Sequence, residues 1–263
     1  MATYYKTTKR NGMSFHGNVK YAVGKTVRKK KSLNPQLCTP TVLHASAKAL
    51  DALSYAGILD CNLYEVEGQA VIEDNRKSGF FALTVLREIP DSEKDQVFGF
   101  SYNEAIHPVN PSLIENTVTE QDIENLKAWA SVWDSVWDSV WDSVRASVWD
   151  SVRASVWPSV WGSVWDSVRA SVWASVWASV WPSVWGSVWD SVRASVWAYV
   201  GTLFPGVEKW KYVDHEKDTY PFQPAVDLWK RGFIPVKFGN VWKLYHPVQG
   251  KPAICVYDGK SVQ

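Results

Sequence analysis

Across residues 131–198 the chain repeats one four-residue unit, Ser-Val-(Trp/Arg)-(Asp/Ala/Pro/Gly), seventeen times without a break. Ser and Val are kept in every copy, the third position is Trp thirteen times and Arg four times, and the fourth varies. A period of four limits what the backbone can build. In an α-helix four residues overshoot one turn by about 40°, so a row of like side chains winds round the axis and closes a circuit in about nine repeats. Such a helix presents no constant apolar face. Val, Ser and Trp are also middling helix formers, and Pro158, Gly162, Pro182 and Gly186 interrupt the array. A β-solenoid meets the period more directly, with one short side and turn per repeat, Val pointing inward, and like residues stacked at about 4.8 Å in successive coils. Pro158 and Pro182, Gly162 and Gly186, and Arg169 and Arg193 recur 24 residues apart, two coils of twelve, which favours three sides. The expected fold is therefore α+β terminal domains flanking a short β-solenoid. Its rival is a broken α-helical array interrupted at 157–162 and 181–186.

With Val inside a solenoid, the third position faces outward as an aromatic ladder. An apolar surface of that size calls for self-stacking, cation–π contacts with the arginines, or a partner. The candidate binding surface is thus Trp133, Trp137, Trp141, Arg145, Trp149, Arg153, Trp157, Trp161, Trp165, Arg169, Trp173, Trp177, Trp181, Trp185, Trp189, Arg193 and Trp197. A second copy of the chain or a protein partner is the expected occupant, with a glycan or nucleobases as further candidates. Six Asp against four Arg leave the array nearly neutral, which argues against a strongly acidic nucleic-acid mimic.

The flanks read differently. Residues 1–118 have the pattern of a compact α+β domain. Strands are expected at 19–27, 62–67, 69–72 and 80–89, with a turn near Asn11-Gly12, further turns at Asp74-Asn75 and Ser78-Gly79, and a helix over 45–55. Thr119, with Asp122 three positions later, opens a helix over 119–130 that would cap the first coil of the repeat region at 119–200. In 201–263 a short helix over 224–231 ends at Gly232. Strands at 233–238 and 241–245 flank Gly239-Asn240, and a third strand is expected at 253–257. A helix on such a sheet would bury Trp210, Trp229 and Trp242.

Charge is segregated along the chain. Residues 1–50 hold ten Lys or Arg and no acid, whereas 51–120 hold four basic and thirteen acidic residues. The block Arg28-Lys29-Lys30-Lys31 suits either phosphate binding or pairing with the acidic segment that follows. Cys38, Cys61 and Cys255 form no CxxC pair, and Cys38 beside His44 supplies only two of the ligands a metal site needs, so no metal centre and no disulfide framework are expected. No His pair has metal-ligand spacing, and no nucleotide-loop or nucleophile-elbow motif occurs. His215 lies between Asp214 and Glu216 in a segment that reads as a solvated loop. Neither a signal peptide nor a membrane-spanning run is expected, which points to the cytoplasm.

Residues 43–72 (LHASAKALDALSYAGILDCNLYEVEGQAVI) resemble the middle of ADP-ribosyltransferase-like domains. There a strand ending in a Leu/Tyr-X-Ala/Ser step leads to a helix with an Ala and a Tyr, then to a Tyr-Glu-Val strand. The resemblance implies that His44, Ser46 and Tyr55 line a nicotinamide pocket, with Glu65 or Glu67 as the acid. The His-Gly-Thr or Arg-Gly step of those domains has its nearest counterpart in His16-Gly17, followed by Asn18 in place of the hydroxyl residue, which implies a non-catalytic relative. Over most of its length the chain is also similar to uncharacterised proteins of bacteriophages and their bacterial hosts. The likeness rests on Val23-Gly24-Lys25-Thr26, Cys38, residues 43–45 and 64–67, arrays closing in Trp197-Ala198-Tyr199-Val200-Gly201, and the Trp210-Lys211-Tyr212 and Asp227-Leu228-Trp229 patterns. It implies a phage-type origin and carries no activity. The function expected from the sequence is that of a non-enzymatic structural or interaction protein, needing no cofactor and self-associating or docking through the repeat. The alternative is an NAD-using, ADP-ribosyltransferase-like enzyme with His44, Tyr55 and Glu67 as catalytic candidates and the repeat as scaffold.

Overall fold

A computed structural model of the protein describes residues 2–15, 19–56, 58–136, 143–144, 146–147, 185–205, 207, 210, 213, 215–249 and 251–259. They fall into two compact units, 2–106 and 107–259. The first runs β1 (Thr3–Thr8), β2 (Thr26–Arg28), β3 (Leu43–Ala45), α1 (Ala49–Ser54), β4 (Asn62–Glu67), β5 (Ala70–Glu73), β6 (Ser78–Phe80), β7 (Ala82–Ile89), α2 (Asp91–Phe98) and α3 (Tyr102–Ile106). Its strands make two antiparallel sheets, ordered β1-β4-β7-β2 and β3-β6-β5. Tyr21, Leu43, Ala45, Tyr64, Val66, Phe80, Leu83 and Val85 form one core cluster that draws on both.

Two local expectations change here. Of residues 19–27, only 26 and 27 are strand. Ser78-Gly79 belongs to β6, the central strand of its sheet, and the turn lies earlier, where Asp74 Oδ1 accepts from the backbone N–H groups of Arg76 (2.8 Å) and Lys77 (2.7 Å). Gly79 serves close packing: a Cβ there would stand 2.7 Å from Ile72 Cγ2 and 2.9 Å from Val42 Cγ2.

The second unit contains a 3₁₀ turn (Pro111–Leu113), α4 (Glu120–Val136), α5 (Trp185–Thr202), α6 (Gln223–Lys230), β8 (Ile234–Phe238), β9 (Val241–Val248) and β10 (Lys251–Asp258). The strands form an antiparallel sheet in the order β10-β9-β8. Thr119 and Asp122 do cap α4: the Thr119 N–H and Oγ1 donate to Asp122 Oδ2 at 2.8 and 2.7 Å. The same carboxylate, fully buried, receives Arg231 Nε at 2.7 Å and Nη2 at 3.0 Å, tying α4 to the end of α6. Trp129, Trp133, Trp197, Trp210, Trp229 and Trp242 are all buried. Trp133 packs edge-on against both Trp129 and Trp242, at centroid distances of 6.2 and 5.5 Å.

The solenoid is overturned. Among the described residues the architecture is α+β, with three small antiparallel sheets and six α-helices, and the described ends of the repeat are helical, in α4 and α5. The four-residue period argues against a helix because its apolar row wanders, and the C-terminal part of α5 removes that objection by being enclosed. Every residue from 194 to 201 is buried, which is about two full turns. A helix surrounded on all sides needs no constant face. Ser and Ala let its neighbours approach, and the hydroxyls are satisfied internally: Ser195 Oγ donates to the Val192 carbonyl at 2.8 Å, and Ser191 Oγ accepts from the Lys237 N–H at 3.0 Å.

Candidate functional site

In the first unit a cavity of about 520 Å³ lies beside β1 and β3. Its lining contains Lys6, Lys29, Lys77, His44 and Cys38, the aromatic rings of Tyr5, Phe15, Tyr21 and Tyr55, and, among the described residues, no Asp or Glu. The topology assembles it. Tyr5, Lys6 and Thr7 come from β1, His44 from β3, Ser46 from a bridge in which Tyr5 and Ser46 exchange backbone hydrogen bonds (2.7 and 2.9 Å), Tyr55 from the end of α1, and Lys77 from the turn before β6. The turn made by Asp74 holds the backbone of Lys77, so its side chain enters from a fixed point.

The electrostatics are those of a cation cluster in a poorly solvated space. Lys77 is buried, at 8 % exposure, with Nζ 4.3 Å from the Tyr55 ring centre. Lys6 Nζ stands 5.4 Å from the Tyr21 ring centre, and its pKa falls to about 8 because of burial and the charge of Lys77. His44 is held down at about 4, first by burial and then by Lys6, Lys77 and Lys29. Its Nε2 accepts the Cys38 N–H at 3.0 Å, which assigns the ring proton to Nδ1 in the neutral form. An anion placed here would relieve the mutual repulsion of the lysines and gain charge-assisted hydrogen bonds, while the rings offer flat faces to an aromatic group. The volume lies within the range of small-molecule sites.

The residues singled out from the sequence divide between this cavity and other places. His44, Ser46 and Tyr55 all line it. Glu67 and Glu65 do not: both lie on β4, Glu67 in register with Thr3 and Thr84, and Glu65 accepting from Arg87 Nη2 at 2.9 Å. His16, Gly17 and Asn18 lie outside the described residues. Cys38 and His44 do meet, but among the described residues no group of three or more His, Cys, Asp or Glu is placed to hold a metal ion. Within the repeat, Trp133 (3 % exposed) and Trp197 (4 %) are core residues, and Trp189 and Arg193 are half-buried on α5. Trp185 begins α5, while Trp137, Trp141, Arg145, Trp149, Arg153, Trp157, Trp161, Trp165, Arg169, Trp173, Trp177 and Trp181 lie outside the described residues.

Lys6 and Lys77 stand in no local motif of the sequence, and Lys29 stands only in the basic block 28–31. The available signal was the acid-free first fifty residues, whose cations had no local partners. No protein-family model, curated protein or solved structure matches the chain. Among the described residues no helix is long and apolar enough to cross a membrane.

Proposed function

We propose that this chain is a binding protein whose first unit receives a small anionic molecule with a flat ring, of the nucleotide type. The observation that carries this reading is a cavity lined by three lysines and four aromatic rings, with no carboxylate among the described residues of its lining. The lysines meet phosphate or pyrophosphate oxygens, and Tyr55 or Tyr21 stacks on the base or on a nicotinamide-like ring. Isothermal titration of the full chain with ADP-ribose, NAD and inorganic pyrophosphate tests it. Lys77→Met should weaken binding by about ten- to a hundredfold, the loss of one charge-assisted hydrogen bond. Absence of binding by all three probes, or equal affinity in the variant, overturns the reading.

A second reading is supported by a specific coincidence: the three residues that the ADP-ribosyltransferase resemblance assigns to a nicotinamide pocket, His44, Ser46 and Tyr55, share this cavity. It predicts release of nicotinamide from NAD, lost in Tyr55→Ala. Since Glu67 lies outside the lining, Glu67→Ala should leave NAD affinity unchanged whichever reading holds. The interior repeats keep a separate proposed role, contact with a second copy of the chain or with a protein partner. Light scattering of the full chain against a chain with the interior repeats deleted tests that role.

A further inference from the structure

We propose that Cys38 and Lys77 form an oxidation-sensitive pair that closes into a covalent sulfur–oxygen–nitrogen bridge. Lys77 Nζ lies 2.6 Å from Cys38 Sγ, the separation that one bridging oxygen spans with ordinary single bonds to each atom. Both atoms are held there by their own local structure. Lys77 follows the Asp74 turn at the head of β6, and its side chain is buried. Cys38 sits at φ 62°, in the left-handed region that a non-glycine residue seldom adopts. Its N–H is fixed on His44 Nε2, and a loop network backs it: Thr39 Oγ1 donates to the Gln36 carbonyl at 2.8 Å, and Thr41 Oγ1 accepts the Gln36 N–H at 3.1 Å. Strain retained at one residue by this much surrounding structure is a mark of a functional position. Cys38 is also an exposed residue that lines the cavity, which gives an oxidant from solvent a route to it.

The chemistry balances with dioxygen as the oxidant. The thiol and the free amine combine with one dioxygen molecule to give the S–O–N bridge and one water. Sulfur and nitrogen each give up two electrons, one oxygen atom becomes the bridge, and the other leaves with the thiol hydrogen and one amine hydrogen. The ammonium first releases its extra proton to solvent. The bridged nitrogen no longer carries the ammonium charge, so closure reduces the cavity's lysine cations from three to two. On the binding reading it would therefore also weaken an anionic ligand. The bridge itself requires no ligand.

The test is mass spectrometry of the reduced full chain after exposure to air-saturated buffer, first intact and then as proteolytic fragments. Bridge formation adds one oxygen and removes two hydrogens, a gain of about 14 Da, in contrast to about 16 Da for a sulfenic acid. The expected result is a single fragment pair joining Cys38 to Lys77 with that gain, absent from Lys77→Arg and from Cys38→Ser. Cys255, exposed and with its sulfur donating to the Tyr257 carbonyl at 3.5 Å, is the internal control within the same sample. The proposal is overturned if wild-type Cys38 yields only the sulfenic, sulfinic or disulfide products seen at Cys255. That readout comes from the wild-type chain, so it does not depend on how either variant folds.

Discussion

Arg231→Ala is the substitution whose consequences can be worked furthest. Asp122 is completely buried and its carboxylate accepts four hydrogen bonds, two from Thr119 and two from Arg231. The Arg231 side chain is 37 % exposed. The two ends of this ion pair are therefore unequal. Removing Asp122 leaves an arginine that can turn to water and still donates Nη2 to the Thr117 carbonyl at 3.1 Å, so Asp122→Ala should cost about 2–3 kcal/mol, including about 1 kcal/mol for the lost cap of α4. Removing Arg231 strands a buried charge, for which about 3–5 kcal/mol is expected, well above the 0–1 kcal/mol of a surface pair. The double variant should then be less destabilised than the sum of the singles by about 2 kcal/mol. Urea unfolding followed by tryptophan emission is the assay, because the first tryptophan is Trp129 and residues 2–106 contain none. The pH dependence sharpens the test. Burial pushes the Asp122 carboxyl up, but the bonds from Arg231 and Thr119 outweigh it, and the net shift is downward. A depressed carboxylate stabilises above its unfolded pKa and loses that contribution as pH falls through its folded value. Without Arg231 only the two bonds from Thr119 oppose the burial effect, so Asp122 takes up a proton more readily, and the deficit of Arg231→Ala should shrink as the pH is lowered toward 4. A cost below 1 kcal/mol at neutral pH, or a deficit that grows on acidification, would refute the reasoning.

Three further outcomes are expected. Trp133→Ala and Trp197→Ala should each destabilise the second unit by about 3–5 kcal/mol in the same assay, since both indoles are core residues there. Gly12→Ala should cost more than about 1 kcal/mol by tyrosine-monitored unfolding, because φ is +79° and the new Cβ would stand 2.8 Å from the Tyr21 carbonyl oxygen. His44, depressed to about 4 by burial and the neighbouring lysines, takes up its proton in the unfolded chain first. Its contribution is complete above pH 6.5 and is lost between 6.5 and 4, by up to about 3 kcal/mol less solvent screening, and His44→Gln should flatten that slope.

The elements that the sequence made legible are those that carry their own punctuation. Gly239-Asn240 joins β8 to β9, Thr119 and Asp122 cap α4, and Gly232, at φ +87°, closes the end of α6. The helix α2 carries comparable signals, namely Pro90 before an acidic first turn and Gly99 in the left-handed conformation after the last. Lys94 is the reason α2 looks unlike a buried helix. Its pattern is nearly all polar, yet the ammonium is 1 % exposed and donates to the Cys61 carbonyl and to Asp91 Oδ1, each at 2.6 Å. The candidate site was half legible for a similar reason. A local resemblance could bring His44, Ser46 and Tyr55 together because they lie within twelve consecutive residues. Lys6 and Lys77 join them only through the pairing of β3 with β6 and the Tyr5–Ser46 bridge, contacts between distant segments that no local pattern announces.

The repeat carries the larger physical lesson. In an isolated helix in water a row drifting by about 40° per unit cannot stay on one buried face. In α5 the drift brings successive third positions to different environments: Trp189 and Arg193 are half-buried and Trp197 is in the core, while Val192, Val196 and Val200 are buried as well. Tyr199 stacks on Trp229 of α6 at 6.4 Å, and the Tyr220 hydroxyl donates to the Ala198 carbonyl, so partners meet α5 on more than one side. A sequence that is neither amphipathic nor uniformly apolar packs as a buried helix where its small members are alanine, which has no polar group to satisfy, and serine, which can return its hydroxyl hydrogen bond to the backbone as Ser195 does. The tryptophan density therefore has no single meaning along the array. At positions 133 and 197 it supplies core volume, and a role as a docking surface there is excluded by burial alone.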